Sequence, residues 1–116
     1  MSKTSIKLAV LMLLALPCKA EVEEFELVLK SHLFYPSKLE VPAGRKVKLV
    51  IHNQDDTPEE FDSFDLNREK VIFPNRKATV YIGPLKPGVY EFFGEFNPNS
   101  ARGQVVAIDR EGNGAD

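Results

Sequence analysis

The sequence predicts an all-β fold, a Greek-key β-sandwich of seven or eight short strands with at most one helical turn. Two observations predict it. Apolar and polar residues alternate over short runs, and a turn signal closes nearly every run. Period-two alternation marks a strand with one face buried and the other in water. Short strands at regular spacing are what sandwiches and barrels share.

The elements follow in order. Phe25, Leu27 and Leu29 alternate with Glu24, Glu26, Val28 and Lys30, and Val47, Leu49 and Ile51 alternate with Lys46, Lys48, Val50 and His52. Thr79 to Ile82, Val89 to Phe93 and Val105 to Ile108 are further strand runs. Pro42-Ala43-Gly44, the stretch from Asn53 to Pro58, Pro74-Asn75, Gly83-Pro84, Pro87-Gly88, Asn97-Pro98-Asn99 and Gly103 supply the turns, because Gly, Pro and Asn adopt the dihedrals that turns need. Only Asp65 to Lys70 has room for a helical turn, and Arg68, Glu69 and Lys70 read as a solvated charged turn. No repeat, linker or low-complexity segment interrupts the chain.

The N-terminus reads as an export signal. Lys3 and Lys7 precede nine apolar residues, Leu8 to Leu16, and small residues at Cys18 and Ala20 place cleavage after Ala20. Nine residues at about 1.5 Å each cover roughly half of a 30 Å hydrocarbon core, too little for a membrane span. Pro17 suits a lipidation site at Cys18 poorly. The expected organisation is a signal peptide over residues 1–20, one domain over 21–110 and a polar tail over 111–116, with the periplasm as destination and no membrane insertion after cleavage.

Removing that leader changes the chemistry. It takes with it Cys18, both methionines and three of the 15 basic residues, leaving 96 residues with 12 basic and 17 acidic side chains. No disulfide is then available, and a chain of this length buries about 60–65% of its unfolded surface, enough for one core. An acidic balance without a Lys/Arg cluster argues against nucleic acid as a partner. No serine or cysteine nucleophile has an evident histidine partner, and no Gly-rich phosphate cradle is present.

Three segments carry a family resemblance. Phe34 to Gly44 with Val47 to Asn53 resembles the opening strands of plastocyanin-type cupredoxins, Asn53 to Phe61 resembles the loop bearing the first copper histidine, and Pro87 to Gly94 with Gly103 to Ile108 resembles the final hairpin. The resemblance implies a sandwich of cupredoxin type. It also implies where copper ligands would fall: the first histidine at Glu59 or, one residue on, Glu60; the cysteine at Gly94; the second histidine within 97–99; the axial methionine near Ala101. A type 1 site needs a thiolate and two imidazoles, so this ligand set excludes type 1 copper.

Oxygen donors stand in their place. Glu59, Glu60 and Asp62 are expected in one loop, Glu95 follows the empty cysteine position, and His32 falls in a loop at the same end. Carboxylates with one imidazole suit an iron ion, Mn(II) or Cu(II) better than Cu(I). The candidate metal ligands are therefore Glu59, Glu60, Glu95 and His32, holding one iron or copper ion. Two readings compete with this. Thr57 to Glu60 has the form of a helix start with acids at its positive end, and alternation along the last strands turns Glu95 to the face opposite Gly94.

Thr57 to Ser63, Leu66 to Val71 and Tyr90 to Phe96 are similar to small periplasmic cupredoxin-like proteins of bacterial ferrous-iron transport operons, and more distantly to the cupredoxin domain of EfeO-type iron-uptake proteins. This resemblance implies work beside an inner-membrane iron permease and a second periplasmic metal-binding protein, with ferroxidase-type activity as one option. Asn97 stands where that branch often has a histidine. The alternative is a metal-free interaction module of an envelope complex.

Overall fold

The computed structural model describes residues 21–110. The expected leader (1–20) and tail (111–116) lie outside the described residues. Nine strands form two sheets: β1 (Glu23–Lys30), β2 (Leu33–Tyr35), β3 (Lys38–Pro42), β4 (Val47–Asn53), β5 (Glu59–Ser63), β6 (Arg68–Ile72), β7 (Lys77–Ile82), β8 (Gly88–Gly94) and β9 (Arg102–Ile108). One sheet has the order β2-β1-β4-β7 and the other β3-β9-β8-β5-β6. The pairs β1·β4 and β3·β9 are parallel and the rest antiparallel.

The alternation read from sequence is the alternation that folds. Val47, Leu49, Ile51 and Asn53 of β4 point inward while Lys48, Val50 and His52 are half-buried on the outer face. Leu27, Leu29, Val80 and Ile82 join them from their sheet, and Leu39, Val41, Phe61, Phe92, Val105 and Ala107 close the core from the other. Phe34 of β2 links the layers, meeting Phe92 edge-on at 5.1 Å and Phe61 edge-on at 6.4 Å. Such aromatic contacts supply much of the burial available to a small sandwich.

Two expectations need correction. Among the described residues the strands number nine, because β6 occupies part of the segment expected to turn. Residues 64–67 form the turn, and Arg68, Glu69 and Lys70 lie in β6. Four of its five residues are exposed, and only Ile72 is buried. An edge strand carries charge for a physical reason, since charged side chains discourage pairing with another chain, and that charge hides the period-two signal. The second correction concerns Thr57 to Glu60, which starts no helix: Glu59 opens β5, so Glu59, Glu60 and Asp62 are strand residues, not loop residues.

Candidate metal site and the sealed ligand end

Strand β5 decides the two roles of its acids. Successive strand side chains face opposite sides, so Glu59, Phe61 and Ser63 point to the core while Glu60 and Asp62 point outward. Glu59 is fully buried at 0% exposure. Its Oε1 accepts the backbone N–H of Phe96 (2.8 Å) and of Glu60 (2.9 Å), and its Oε2 accepts from Asn97 Nδ2 (2.9 Å). A buried carboxyl with no such donors would cost several kcal/mol. Here three donors satisfy it.

Gly94 makes the room. A β-carbon there would stand 2.5 Å from Glu59 Cδ and Oε2 and 2.9 Å from the Ala101 β-carbon. The Glu59 carboxyl therefore lies in the space that any side chain at position 94 would enter. Backbone bonds brace the assembly: the Gly94 N–H donates to Ala101 O (2.8 Å), and the Asn97 N–H donates to Gly94 O (3.1 Å).

On the outer face, the carboxylates of Glu60, Asp62 and Glu69 converge with ligand oxygens within 4.8 Å of one another, the only such group of three among the described residues. Asp62 lies between two strand neighbours in register, Glu69 of β6 and Phe93 of β8. Phe64 meets Phe93 in a tilted ring contact at 5.7 Å, and the Arg102 guanidinium lies over the Phe93 ring at 5.8 Å. Asp62 and Glu69 also line an open cleft of about 420 Å³ with Ser63, Phe64, Asn67 and Arg68. Arg68 is committed elsewhere, its Nε donating to Tyr81 O and its Nη1 to Asn67 O, each at 2.8 Å. Burial holds the Glu60 carboxyl above its ordinary pKa, with the neighbouring charges of Glu69, Asp62, Glu95 and Glu59 acting in the same direction.

The remaining candidates sit apart from that group. Glu95 is exposed, facing away from the core as its alternation predicts, and its N–H donates to Glu60 O at 2.9 Å. His32 belongs to a tight turn in which Ser31 and His32 both have positive φ. Asp55 secures the turn: its Oδ1 accepts the Ser31 N–H (2.6 Å), its Oδ2 accepts the His32 N–H (3.0 Å), and the His32 ring nitrogen Nδ1 stands 3.6 Å from Oδ2. Of the four residues singled out from sequence, the structure brings only Glu60 into a three-carboxylate group. Sequence reasoning noticed Asp62 as a neighbour and missed Glu69. The signal that finds Glu69 is its register opposite Asp62, which requires knowing that β6 is a strand.

A family model described as a cupredoxin-like domain matches residues 4–107. The chain belongs to this family. A chain 45% identical over 86 residues is an uncharacterized protein, RP394, of Rickettsia prowazekii (strain Madrid E), the match covering 74% of this chain and 69% of that one. Among solved structures, auracyanin A, a "blue" copper protein from Chloroflexus aurantiacus, is similar at a TM-score of 0.64 and 12% identity over 76% of this chain and 100% of its own. Amicyanin from Paracoccus versutus is similar at 0.59 and 14%, over 79% and 86%. At such identities the likeness is one of fold.

The residues of this cupredoxin-like chain do not fit a type 1 copper ion. The resemblance sets a thiolate at position 94, where glycine stands, and an imidazole at 59, where a carboxyl is held by three N–H donors. Ala101, at the axial position, is buried and offers no donor atom. Of the two alternatives for the first histidine position, Glu59 is the residue that faces this end of the core.

Proposed function

We propose that this chain is an exported cupredoxin-fold accessory of bacterial iron uptake that carries a metal ion on oxygen donors, not on a type 1 centre. In this reading residues 1–20 direct export to the periplasm, and the partners are an inner-membrane iron permease and a second periplasmic metal-binding protein. The supporting observation is the pooling of carboxylates around Glu60 with no basic side chain bonded to them among the described residues. Oxygen donors of this kind favour hard cations, and ferric over ferrous iron.

Calorimetric titration of the purified protein with Mn(II), Fe(II), Fe(III) and Cu(II) tests the reading. The expected result is binding of at least one of them tighter than 1 mM, a standard free energy of about −4 kcal/mol or better. Weaker binding of all four would sink it.

A second reading, a metal-free interaction module of an envelope complex, has its own observation. The end of the sandwich where related folds hold copper is sealed by Glu59, while Phe73 and Phe96, which flank it, remain 64% and 50% exposed. Failure of all four titrations would favour this reading.

A further inference from the structure

The two sheets treat their surface acids differently. On the outer face of the four-stranded sheet, Glu24 pairs with Lys48 (3.5 Å) and Glu26 with Lys77 (3.8 Å) across neighbouring strands. On the outer face of the five-stranded sheet, Asp62 and Glu69 are directly opposed in register, an arrangement of like charges that destabilises a sheet. Glu60 precedes Asp62 by one pleat on the same face, and Glu95 stands beside Glu60. Among the described residues, none of these four carboxylates takes part in an ion pair.

Asp62 is the decisive member. Only 6% of it is exposed, yet it has no hydrogen bond or ion pair among the described residues, and its carboxylate keeps a narrow contact with water. Its oxygen points toward those of Glu60 and Glu69 and borders the cleft, so a small cation can reach it. Carboxylates that are largely withdrawn from water are ordinarily paired, hydrogen-bonded or bound to metal. Here the first two are missing.

We propose that Glu60, Asp62 and Glu69 form a binding site for one hard di- or trivalent cation on the outer face of the five-stranded sheet. This rests on the oxygen-donor reading above and gives it an address. The site lies outside the core, one residue along β5 from the sealed interior position. It takes three carboxylate oxygens from two paired strands, and water completes the shell. Donor atoms within 4.8 Å of one another suit a shared ion with metal–oxygen distances of about 2.0–2.6 Å. Neither imidazole nor thiolate takes part, so the site selects against Cu(I). His32 and Glu59 have no role in it.

Mn(II) is the probe, because its aqueous paramagnetic resonance signal broadens on binding and reports free ion directly. The protein is compared with the isosteric variant Asp62→Asn/Glu69→Gln, with Glu69→Gln alone, and with His32→Ala. Expected are Mn(II) binding by the parent, at least tenfold weaker binding by the double variant, a smaller loss in Glu69→Gln, and no change in His32→Ala. Glu69 is exposed, so Glu69→Gln keeps the test valid if the double variant fails to fold. Mn(II) binding by the parent that neither variant weakens would overturn this address and leave the broader reading standing. No binding of Mn(II) by the parent, together with no binding of Fe(II), Fe(III) or Cu(II), would remove both.

Discussion

Glu59 and Glu60 are consecutive residues of one strand with opposite surroundings. Glu59 faces inward, is withdrawn from water, and meets three N–H donors. Glu60 faces outward, keeps partial contact with solvent, and meets other carboxylates. One residue of strand register separates a carboxyl that holds the fold together from one that works against it. Charge count alone does not describe an acid-rich protein. The local supply of donors decides whether each acid stabilises or destabilises.

The largest expected effect lies on the inner side. Glu59→Ala leaves the Phe96 N–H and the Asn97 amide without their acceptor and opens a cavity, which should cost on the order of 3–5 kcal/mol. Urea unfolding of Glu59→Ala beside Glu60→Ala checks this, and a similar loss in both would erase the contrast. Next comes Gly94→Ala, whose β-carbon must displace the Glu59 carboxyl; overpacking of this kind costs about 1–3 kcal/mol. In the double variant Glu59→Ala/Gly94→Ala the added methyl enters vacated space, so the two losses should sum to more than the double variant shows. Strict additivity would mean that the two positions do not compete for one volume.

The outer side carries the smaller effects, with the opposite sign. The folded state holds the Glu60 proton more tightly than an ordinary exposed carboxyl holds its own. Between the unfolded and folded pKa values the native protein therefore binds more protons, and stability falls as pH rises through that window. The cost grows as pH rises through that window and is absent well below the ordinary carboxylate range. Glu60→Gln should therefore melt at a higher temperature than the parent at pH 7 without added metal, and the gap should close as the pH is lowered through the folded pKa. An unchanged gap across pH would dismiss the electrostatic origin. Smallest of all, Glu95→Gln removes one neighbouring charge and should move the Glu60 titration, followed by NMR, back toward its ordinary value by a fraction of its displacement.

The sandwich itself was legible because β4 states its pattern openly, with Val47, Leu49 and Ile51 inward and lysines between them. The direction of Glu95 was legible for the same reason, by counting from Phe92 and Gly94. The choice between Glu59 and Glu60 was not. A shift of one residue reverses the face a strand residue occupies, and the turn-rich stretch before β5 gives no means of counting. Glu69 was out of reach because β6 shows four exposed residues before its one buried isoleucine. Its partnership with Asp62 exists only through pairing of β5 with β6. Local pattern records which face a residue takes within a strand, whereas meetings between strands are set by register.

The interlock of Glu59 with Gly94 also bears on how such a protein can change over time. A cysteine arriving alone at position 94 would collide with a carboxyl already fixed by three bonds, and an imidazole arriving alone at position 59 would find glycine opposite and no sulfur to share an ion with. The carboxyl at position 59 and a β-carbon at position 94 exclude each other, so the two positions can change only together.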